Sequence, residues 1–208
     1  MIIKAVNIKK KFDEFVLFNN FNIELRSGDF IGLYGASGSG KTTIMNILGL
    51  IEEYDLGSIE YNNKTIKTSR DKRGLLRKEI GFVFQDYALI SNKSIAYNFK
   101  FIKKKTCSIE EALEYVGLNY LSPSRKVFTL SGGEQQRVAI AKVIYKGCSV
   151  IFADEATASV DEENRIMIMD IFTRIVESGA IVLFVTHDKT LKKYFDRVIY
   201  LEDIKKSR

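Results

Sequence analysis

The chain has 208 residues, a formal net charge of +6 and a sequence pI near 9.1. This length suits one domain with a sizeable core, and 46% hydrophobic with 28% charged residues excludes a disordered or fibrous protein. No apolar run approaches the roughly 18 residues that a membrane-spanning helix needs.

The termini, cysteines and lysines add further expectations. The N-terminus, MIIKAVNIKKKF, has no apolar block or cleavage site, so we expect no signal peptide. Cys107 and Cys148 have no metal or redox spacing, which suggests a reducing compartment such as the cytoplasm. The lysine runs at 9–11, 103–105 and 205–206 would suit nucleic acid or an anionic membrane. Because no aromatic RNA-binding motif accompanies them, we interpret these lysines as solvated surface and expect no nucleic-acid partner.

The first quarter of the chain is rich in short apolar runs that are typical of strands, the first ones antiparallel. These runs are Ile2–Ile8, Phe15–Phe18, Phe21–Leu25 and Phe30–Tyr34. The stretch GSIEYNNKTI then predicts a hairpin, because Asn62 and Asn63 tolerate the positive φ that its turn needs.

Three later runs are continuously apolar, as in parallel strands that are buried on both faces. They are Gly81–Phe84, Val150–Ala153 and Ile181–Thr186. Helices are predicted at Thr42–Ile51, Ile109–Val116 and Glu162–Ser178, and a last strand at Arg197–Leu201. The pattern predicts one α/β domain over residues 1–208. We expect a nucleotide-binding core at 1–86 and 131–208, with a mostly parallel sheet, an antiparallel N-terminal part and a helical insert at 87–130.

The residues GASGSGKT, between a predicted strand and a predicted helix, match the phosphate-loop pattern G-x-x-x-x-G-K-[ST]. Glycines let backbone N–H groups curl around phosphate oxygens, and the helix N-terminus adds partial positive charge. We expect Lys41 to reach the β- and γ-phosphates and the Thr42 hydroxyl to hold Mg²⁺. The nucleotide contacts expected here are Gly35, Ser37, Gly38, Ser39, Gly40, Lys41, Thr42 and Thr43.

Two predicted parallel strands end in polar residues at the edge where ligands bind. Asp154 and Glu155 follow the first of these strands. Asp154 is expected to orient Mg²⁺ or its waters, and Glu155 to reach an attacking water. His187, the single histidine of the chain, ends the other strand, where it can hydrogen-bond a γ-phosphate.

The segment LSGGEQQR predicts a helix N-terminus, because Ser131 and Glu134 form a capping box. A plain capped helix does not need Gly132 and Gly133, which cost up to about 1 kcal/mol each relative to alanine. A bare helix N-terminus lets an anion approach closely. We therefore predict a second anion site, which makes sense if it serves the nucleotide of another copy.

In this order of motifs the chain resembles the ATP-binding cassette (ABC) ATPases, the nucleotide-binding subunits of ABC transporters. The resemblance spans essentially the whole length. Its motifs are the phosphate loop, Gln85 after IGFVF, the signature LSGGE, Asp154-Glu155, ASVD ending in Asp161, and His187.

The resemblance implies two copies packed head-to-tail around ATP and Mg²⁺. Ser131, Gly132, Gly133 and Glu134 would form the signature that caps the partner's γ-phosphate, and Asp161 would cross the dimer interface. Gln85 would touch Mg²⁺ or the attacking water and report to a membrane permease. Glu155, His187, Lys41 and Gln85 would be the catalytic residues. Phe12 would stack on adenine, with Phe15 and Phe18 close by. The subunit would be cytoplasmic and peripheral on the inner face of the cell membrane.

Two positions depart from the family pattern: Ala156 stands where proline is frequent, and Glu134 where glutamine is frequent. The short insert and the few residues after Leu201 leave us expecting no C-terminal regulatory domain. This compact form resembles ATPases that export bacteriocins and other antimicrobial peptides, and more broadly the macrolide and lipoprotein-releasing group.

Three alternatives differ in what the nucleotide drives. The first is a mechanotransmitting ABC ATPase coupled to a membrane partner without moving cargo. The second is a soluble ABC protein acting on DNA or ribosomes, although such proteins usually carry two cassettes or a long coiled-coil insert. The third is a P-loop kinase, which would leave LSGGEQQR and His187 unexplained.

Overall fold

The computed structural model describes residues 1–202, so the lysine pair at 205–206 lies outside the described residues. The strands are β1 (Ile2–Phe12), β2 (Phe15–Arg26), β3 (Phe30–Tyr34), β4 (Leu56–Tyr61), β5 (Lys64–Thr65), β6 (Ile80–Phe84), β7 (Val150–Asp154), β8 (Ile181–Val185) and β9 (Arg197–Tyr200). The α-helices are α1 (Lys41–Leu48), α2 (Ser69–Lys78), α3 (Ile95–Phe99), α4 (Ile109–Tyr115), α5 (Gly132–Lys146) and α6 (Glu162–Glu177). Short 3₁₀ turns cover Val127–Thr129 and Lys189–Tyr194.

The N-terminal strands form an antiparallel sheet in the order β2-β1-β4-β5. The prediction of two separate strands at 15–18 and 21–25 is wrong, because β2 continues through both. Asn20 takes a positive φ of 65°, and irregular pairing with β1 absorbs the bend without breaking the strand. Asn62 and Asn63 both have positive φ in the β4–β5 turn, as predicted.

The second sheet is parallel throughout, in the order β6-β7-β8-β3-β9. Its strand residues alternate between two cores, since successive side chains of a strand point to opposite faces. Val182 and Phe184 of β8 pack in the core that contains α5 and α6. Ile181, Leu183 and Val185 pack in the core that contains α1 and the antiparallel sheet. The predicted α/β class is confirmed, and all carboxyl ends of this sheet lie at one edge.

Local signals locate several helix starts correctly. Both capping boxes, Ser108 with Glu111 and Ser131 with Glu134, are formed in full. Helix α1 is shorter than the predicted Thr42–Ile51, because Gly49 caps it and Leu50 turns to a φ of 63°. Helix α2 was not predicted, since it is strongly polar and has no buried residue. Its sequence signal is the N-cap at Thr68, whose side chain accepts a hydrogen bond from the Asp71 N–H.

Candidate functional site

A cleft of about 800 Å³ lies at the carboxyl edge of the parallel sheet. Most of the predicted site residues line it: Phe12, Gly35, Ser37, Gly38, Gly40, Lys41, Thr42, Thr43, Gln85, Asp154, Glu155 and His187. Ser39 lies outside this lining, and its backbone N–H donates to the Ala36 carbonyl at 3.1 Å within the loop. The fold thus gathers residues from β1, the phosphate loop and three strand ends.

Gly40 is required where the phosphate loop joins α1. Its φ of 102° is left-handed, which L side chains rarely adopt. A Cβ here would also lie 2.7 Å from the Phe18 ring and 2.9 Å from Leu17. Backbone conformation and close packing therefore both demand glycine at this motif position.

The Lys41 ammonium is directed back along the phosphate loop. Its Nζ donates to the carbonyl oxygens of Gly35 and Ala36, at 2.9 Å each. A cation is therefore held over the concave loop, where phosphate oxygens would meet it and the α1 N-terminus together.

Thr42 and Asp154 meet across the cleft floor. The Thr42 hydroxyl donates to Oδ2 of Asp154 at 2.9 Å, although the two residues are 112 positions apart. Burial raises the pKa of Asp154 above its ordinary value, and the nearby Glu155 carboxylate raises it further, while the Thr42 hydrogen bond and Lys41 oppose the shift. These are two hard oxygen donors at the end of the phosphate loop.

Glu155 and His187 form a pair at the ends of neighbouring strands. The Nδ1 atom of His187 lies 2.8 Å from Oε1 of Glu155. The glutamate side chain is only 19% exposed, whereas that of the histidine is 73% exposed. Glu155 has a φ of 49°, uncommon for a non-glycine residue, and its N–H donates to the Val185 carbonyl at 3.0 Å. The backbone turn at the end of β7 is thus tied to β8.

Three phenylalanines lie near the expected position of the nucleotide base, and they differ in burial. Phe12 and Phe15 line the cleft and are 47% and 62% exposed. Phe18 is 2% exposed and packs inside, so it is unable to present a ring face to a ligand. Both cleft-lining rings remain available for stacking.

Lys10 contacts the ring of Phe12, an interaction that the sequence does not indicate. Its Nζ lies 4.6 Å from the centroid of the Phe12 ring, while Lys10 itself is buried and outside the cleft lining. The same atom donates to Oε1 of Glu52 at 2.6 Å and to the Glu53 carbonyl at 2.9 Å. The cation therefore links the ring to the turn that follows α1.

Gln85 faces a second cleft of about 600 Å³, which shares Thr42, Asp154 and Glu155 with the first. Its Nε2 donates to the Ser159 hydroxyl at 3.4 Å. The end of β6 is therefore connected to the segment that leads into α6.

The signature residues lie outside the lining of the larger cleft. Ser131 is exposed at the N-terminus of α5, and Gly132 is half-buried beside Tyr87 and Ser159. Gly133 is buried, and a Cβ there would lie 2.3 Å from the Asn164 side chain. Close packing within the chain thus explains Gly133, whereas the sequence alone suggests only access for an anion.

Asn164 connects the signature helix to Asp161. Its backbone N–H donates to Oδ1 of Asp161 at 2.8 Å, and its amide donates to both carboxylate oxygens. These hydrogen bonds lower the pKa of Asp161 below its ordinary value. The amide oxygen in turn accepts from the buried guanidinium of Arg137 on α5. The tip of α5 and the N-terminus of α6 are therefore held together.

The sequence model of the ABC transporter family matches residues 18–158, which is more than half of the chain. The chain belongs to the ABC transporter family. As an ABC ATPase it catalyses ATP hydrolysis. The family match covers the phosphate loop, the signature and the Asp154-Glu155 strand end.

Individual relatives of this ABC ATPase match it along most of its length. The lipoprotein-releasing system ATP-binding protein LolD of Aquifex aeolicus is 36% identical over 212 residues, 97% of this chain and 94% of LolD. The putative hemin import ATP-binding protein HrtA of Staphylococcus saprophyticus is 36% identical over 217 residues, 98% of this chain and 97% of HrtA. The macrolide export ATP-binding/permease protein MacB of Campylobacter jejuni is 33% identical over 95% of this chain, which spans only 32% of MacB.

A solved structure has the same fold as this ABC ATPase. The dimeric post-hydrolysis structure of the ATP-binding cassette MJ0796, bound to ADP and Pi, superposes with a TM-score of 0.82. It is 32% identical, and the match covers 97% of this chain and 95% of MJ0796. Within residues 1–202, no helix combines the length and apolar character that crossing a bilayer requires.

Proposed function

We propose that the chain is the motor subunit of a membrane exporter, in which two copies sandwich two ATP molecules with Mg²⁺. The observation that carries this proposal is that the sequence motifs fall into two separate places, one set in the cleft and the signature outside it. Lys41, Thr42, Asp154, Glu155 and His187 converge on one cleft. The signature at the tip of α5 lies outside that lining, as expected if it serves a second copy.

The cleft residues suit in-line attack of water on the γ-phosphate. Glu155 accepts a proton from the water as the water oxygen bonds to phosphorus, and the bond from phosphorus to the bridging oxygen breaks to leave ADP and phosphate. His187, which is hydrogen-bonded to Glu155, contacts the γ-phosphate. Lys41 and the loop N–H groups stabilise the charge on the phosphates.

The donor set of the cleft fits Mg²⁺, an ion usually held by one or two protein oxygens together with water and substrate phosphates. The Thr42 hydroxyl and the Asp154 carboxylate provide two such oxygens, and Gln85 lines the same cleft. When bound, Mg²⁺ neutralises charge that develops on the transferred phosphate.

Dimer closure follows from contacts that need the γ-phosphate. Ser131, Gly132, Gly133 and Glu134 of one copy cap the nucleotide of the other, and Asp161 crosses the interface. ATP then has a higher affinity than ADP for the closed dimer, so hydrolysis shifts the population back to the open state. The dimeric structure of MJ0796 supports the pairing of two copies in this proposal.

We assign the work of this cycle to a permease at the inner face of the cell membrane, where the ATPase is peripheral and cytoplasmic. MacB supports the pairing, because its name joins an ATP-binding part and a permease in one protein. In this proposal residues 87–130 form the helical insert, with the docking groove near Tyr87–Tyr97. The cargo is a peptide such as a bacteriocin, or another amphiphile. LolD and MacB, named for lipoprotein release and macrolide export, support the outward direction, whereas HrtA is named for import.

The test compares phosphate release by the purified chain and by Lys41→Ala, each alone and together with a permease encoded beside it. Wild-type protein should release phosphate from ATP without any acceptor, and Lys41→Ala should lose this activity. The control is Lys189→Ala, a change at an exposed lysine outside the cleft lining, which should keep this activity. Transfer of phosphate only to an added acceptor would indicate a kinase. A permease complex that turns over ATP but moves no peptide or amphiphile would favour the mechanotransmitting alternative.

A further inference from the structure

Another concave surface, separate from the two clefts described above, is lined almost entirely by cations. It is a cleft of about 730 Å³ between one face of α2 and the segment that follows α3. Its lining residues are Arg70, Arg73, Gly74, Arg77, Lys78, Lys103 and Lys104. Six of these seven residues are basic and none is acidic, so we call this surface the cationic cleft.

The cationic cleft follows from helical spacing. Arg70, Arg73 and Arg77 recur at intervals of three and four residues, so they share one face of α2. Gly74 lies on the same face, and a Cβ at that position would meet nothing within 4 Å. The surface of the cationic cleft between the arginines is therefore free of other protein atoms.

The charges of this cleft are poorly compensated by the protein itself. Within residues 1–202, Arg70, Arg73, Arg77, Lys78 and Lys103 make no ion pair with an acidic side chain. Of the nearby acids, Asp71 pairs with Lys64 at 2.6 Å, and Glu79 lies 3.8 Å from Lys104. Clustered like charges repel one another, and an external anion would relieve that repulsion.

Backbone carbonyls at the end of α2 hold neighbouring lysines in place. Lys104 Nζ donates to the Lys78 carbonyl at 2.8 Å and to the Gly147 carbonyl at 3.0 Å. Lys146 Nζ donates to the carbonyls of Leu76 and Ile80. These cations are therefore positioned at the negative end of the α2 dipole before any ligand arrives.

Burial does not explain the composition of α2. The helix has no buried residue, and only Leu75 and Leu76 pack partly against the core. A glycine in the helix interior also disfavours the helix relative to alanine. A strongly basic, exposed helix with little packing indicates a surface for an anionic partner.

The position of the cleft indicates which partner. Strand β6 is an edge strand of the parallel sheet, and α2 leads directly into it. The far end of β6 leads to Gln85 and to Tyr87–Tyr97, where the proposed permease docks. At about 3.3 Å per residue, the first and last residues of this five-residue strand are about 13 Å apart, so the C-terminus of α2 and Gln85 flank the same short strand. The cationic cleft thus lies along the sheet edge that leads to the proposed permease contact.

We propose that the cationic cleft docks onto the anionic phospholipid headgroups of the membrane that contains the permease. This inference rests on the proposed function for the location of the membrane. It reverses our interpretation of Lys103 and Lys104 as solvated surface. An open groove with cations spread along both walls suits several headgroups at once, and clustered Lys and Arg are attracted to an anionic lipid surface.

The experiment measures co-sedimentation of the full chain with vesicles, using phosphatidylcholine alone or mixed with phosphatidylglycerol. The chain should bind the anionic vesicles at low salt and dissociate at high salt, because the attraction is screened. The charge reversal Arg73→Glu/Arg77→Glu should weaken this binding by at least about tenfold. The control Lys189→Glu/Lys193→Glu makes the same change in net charge on exposed lysines outside the cleft and should bind nearly as wild type.

Other outcomes would overturn the proposal. Equal binding to neutral vesicles, or equal loss in both double variants, would mean that the cleft does not recognise headgroups. Binding of tripolyphosphate but not of vesicles would make the cleft a site for free polyanions. Binding only to an acidic peptide of the permease would make it a protein contact. ATP turnover without vesicles is recorded for every variant, so failure of lipid docking is distinguishable from failure of the proposed ATPase cycle.

Discussion

The imidazole Nδ1 of His187 lies 2.8 Å from Oε1 of Glu155, across the ends of two adjacent parallel strands. The glutamate is mostly enclosed, whereas the histidine extends into the cleft. The pair therefore connects the proposed proton acceptor to the proposed γ-phosphate contact through one hydrogen bond.

The substitution Glu155→Gln should stop hydrolysis while retaining ATP binding. Glutamine keeps the size of the side chain and can still bond His187, but it is unable to accept a proton from water. We expect phosphate release to fall by about 10²–10⁴-fold. Because the γ-phosphate contacts persist, the variant should form a stable dimer with ATP, visible by size-exclusion chromatography. A variant that remains monomeric and hydrolyses ATP at the normal rate would refute the role of Glu155.

The substitution Asp154→Asn should stabilise the nucleotide-free protein at a pH well above the pKa of this carboxyl. Since folding raises the pKa of Asp154, the folded state binds its proton more tightly than the unfolded state does. The stability of the wild type therefore falls as the pH rises from the pKa of the unfolded state to the higher pKa of the folded state. Asparagine, which does not titrate, removes that loss. We expect Asp154→Asn to have the higher Tm at pH near 8, with the difference shrinking towards pH near 4.

Asp161→Asn provides the matched control for this pH dependence. Folding lowers the pKa of Asp161 through hydrogen bonds from Asn164. Its contribution to stability is therefore present at neutral pH and lost in acid, so Asp161→Asn should lower the Tm at neutral pH. Two variants with the same sign of effect would contradict the environments described here.

The substitution Lys10→Met should weaken ATP binding through the Phe12 ring. Methionine keeps much of the buried volume but removes the cation 4.6 Å from the ring centroid. A loss of about 0.5–1 kcal/mol would raise the Kd for ATP about twofold to fivefold. Lys11→Met on the exposed side of the strand should have little effect.

A double-mutant cycle separates the ring from general structural damage. If Lys10 acts through Phe12, then Lys10→Met should change the Kd for ATP only slightly in a Phe12→Leu background. An equal effect of Lys10→Met in both backgrounds would show that Lys10 does not act through this ring. A loss of affinity in Phe15→Leu but not in Phe12→Leu would assign the base to Phe15.

The substitution Gly133→Ala should destabilise the protein even without nucleotide. Its methyl group would overlap the Asn164 side chain, which is held by Arg137 and Asp161. Overpacking of this kind costs about 1–3 kcal/mol, and each kcal/mol lowers the Tm of a protein of this size by about 2–4 °C. Gly74→Ala, which enters open space on a helix, should instead be neutral or stabilising. Thermal melts of both variants without ATP check this difference.

Local chemistry in the sequence by itself determined the phosphate loop, both capping boxes, the paired asparagines of the β4–β5 turn and the continuous apolar strands. These features depend on residues within a few positions of one another, so spacing alone predicts them. Spacing also placed Asp154 and His187 at the ligand edge, because parallel strands share one carboxyl end.

Only the tertiary structure decided which distant groups meet. It buried Phe18 and joined β2 into one strand. It brought Lys10 against the Phe12 ring and packed Asn164 where Gly133 lacks a side chain. It also brought Lys103 and Lys104 opposite the arginines of α2, forming a cationic surface that neither segment indicates alone. These contacts depend on packing and burial between segments far apart in the chain, which local periodicity does not encode.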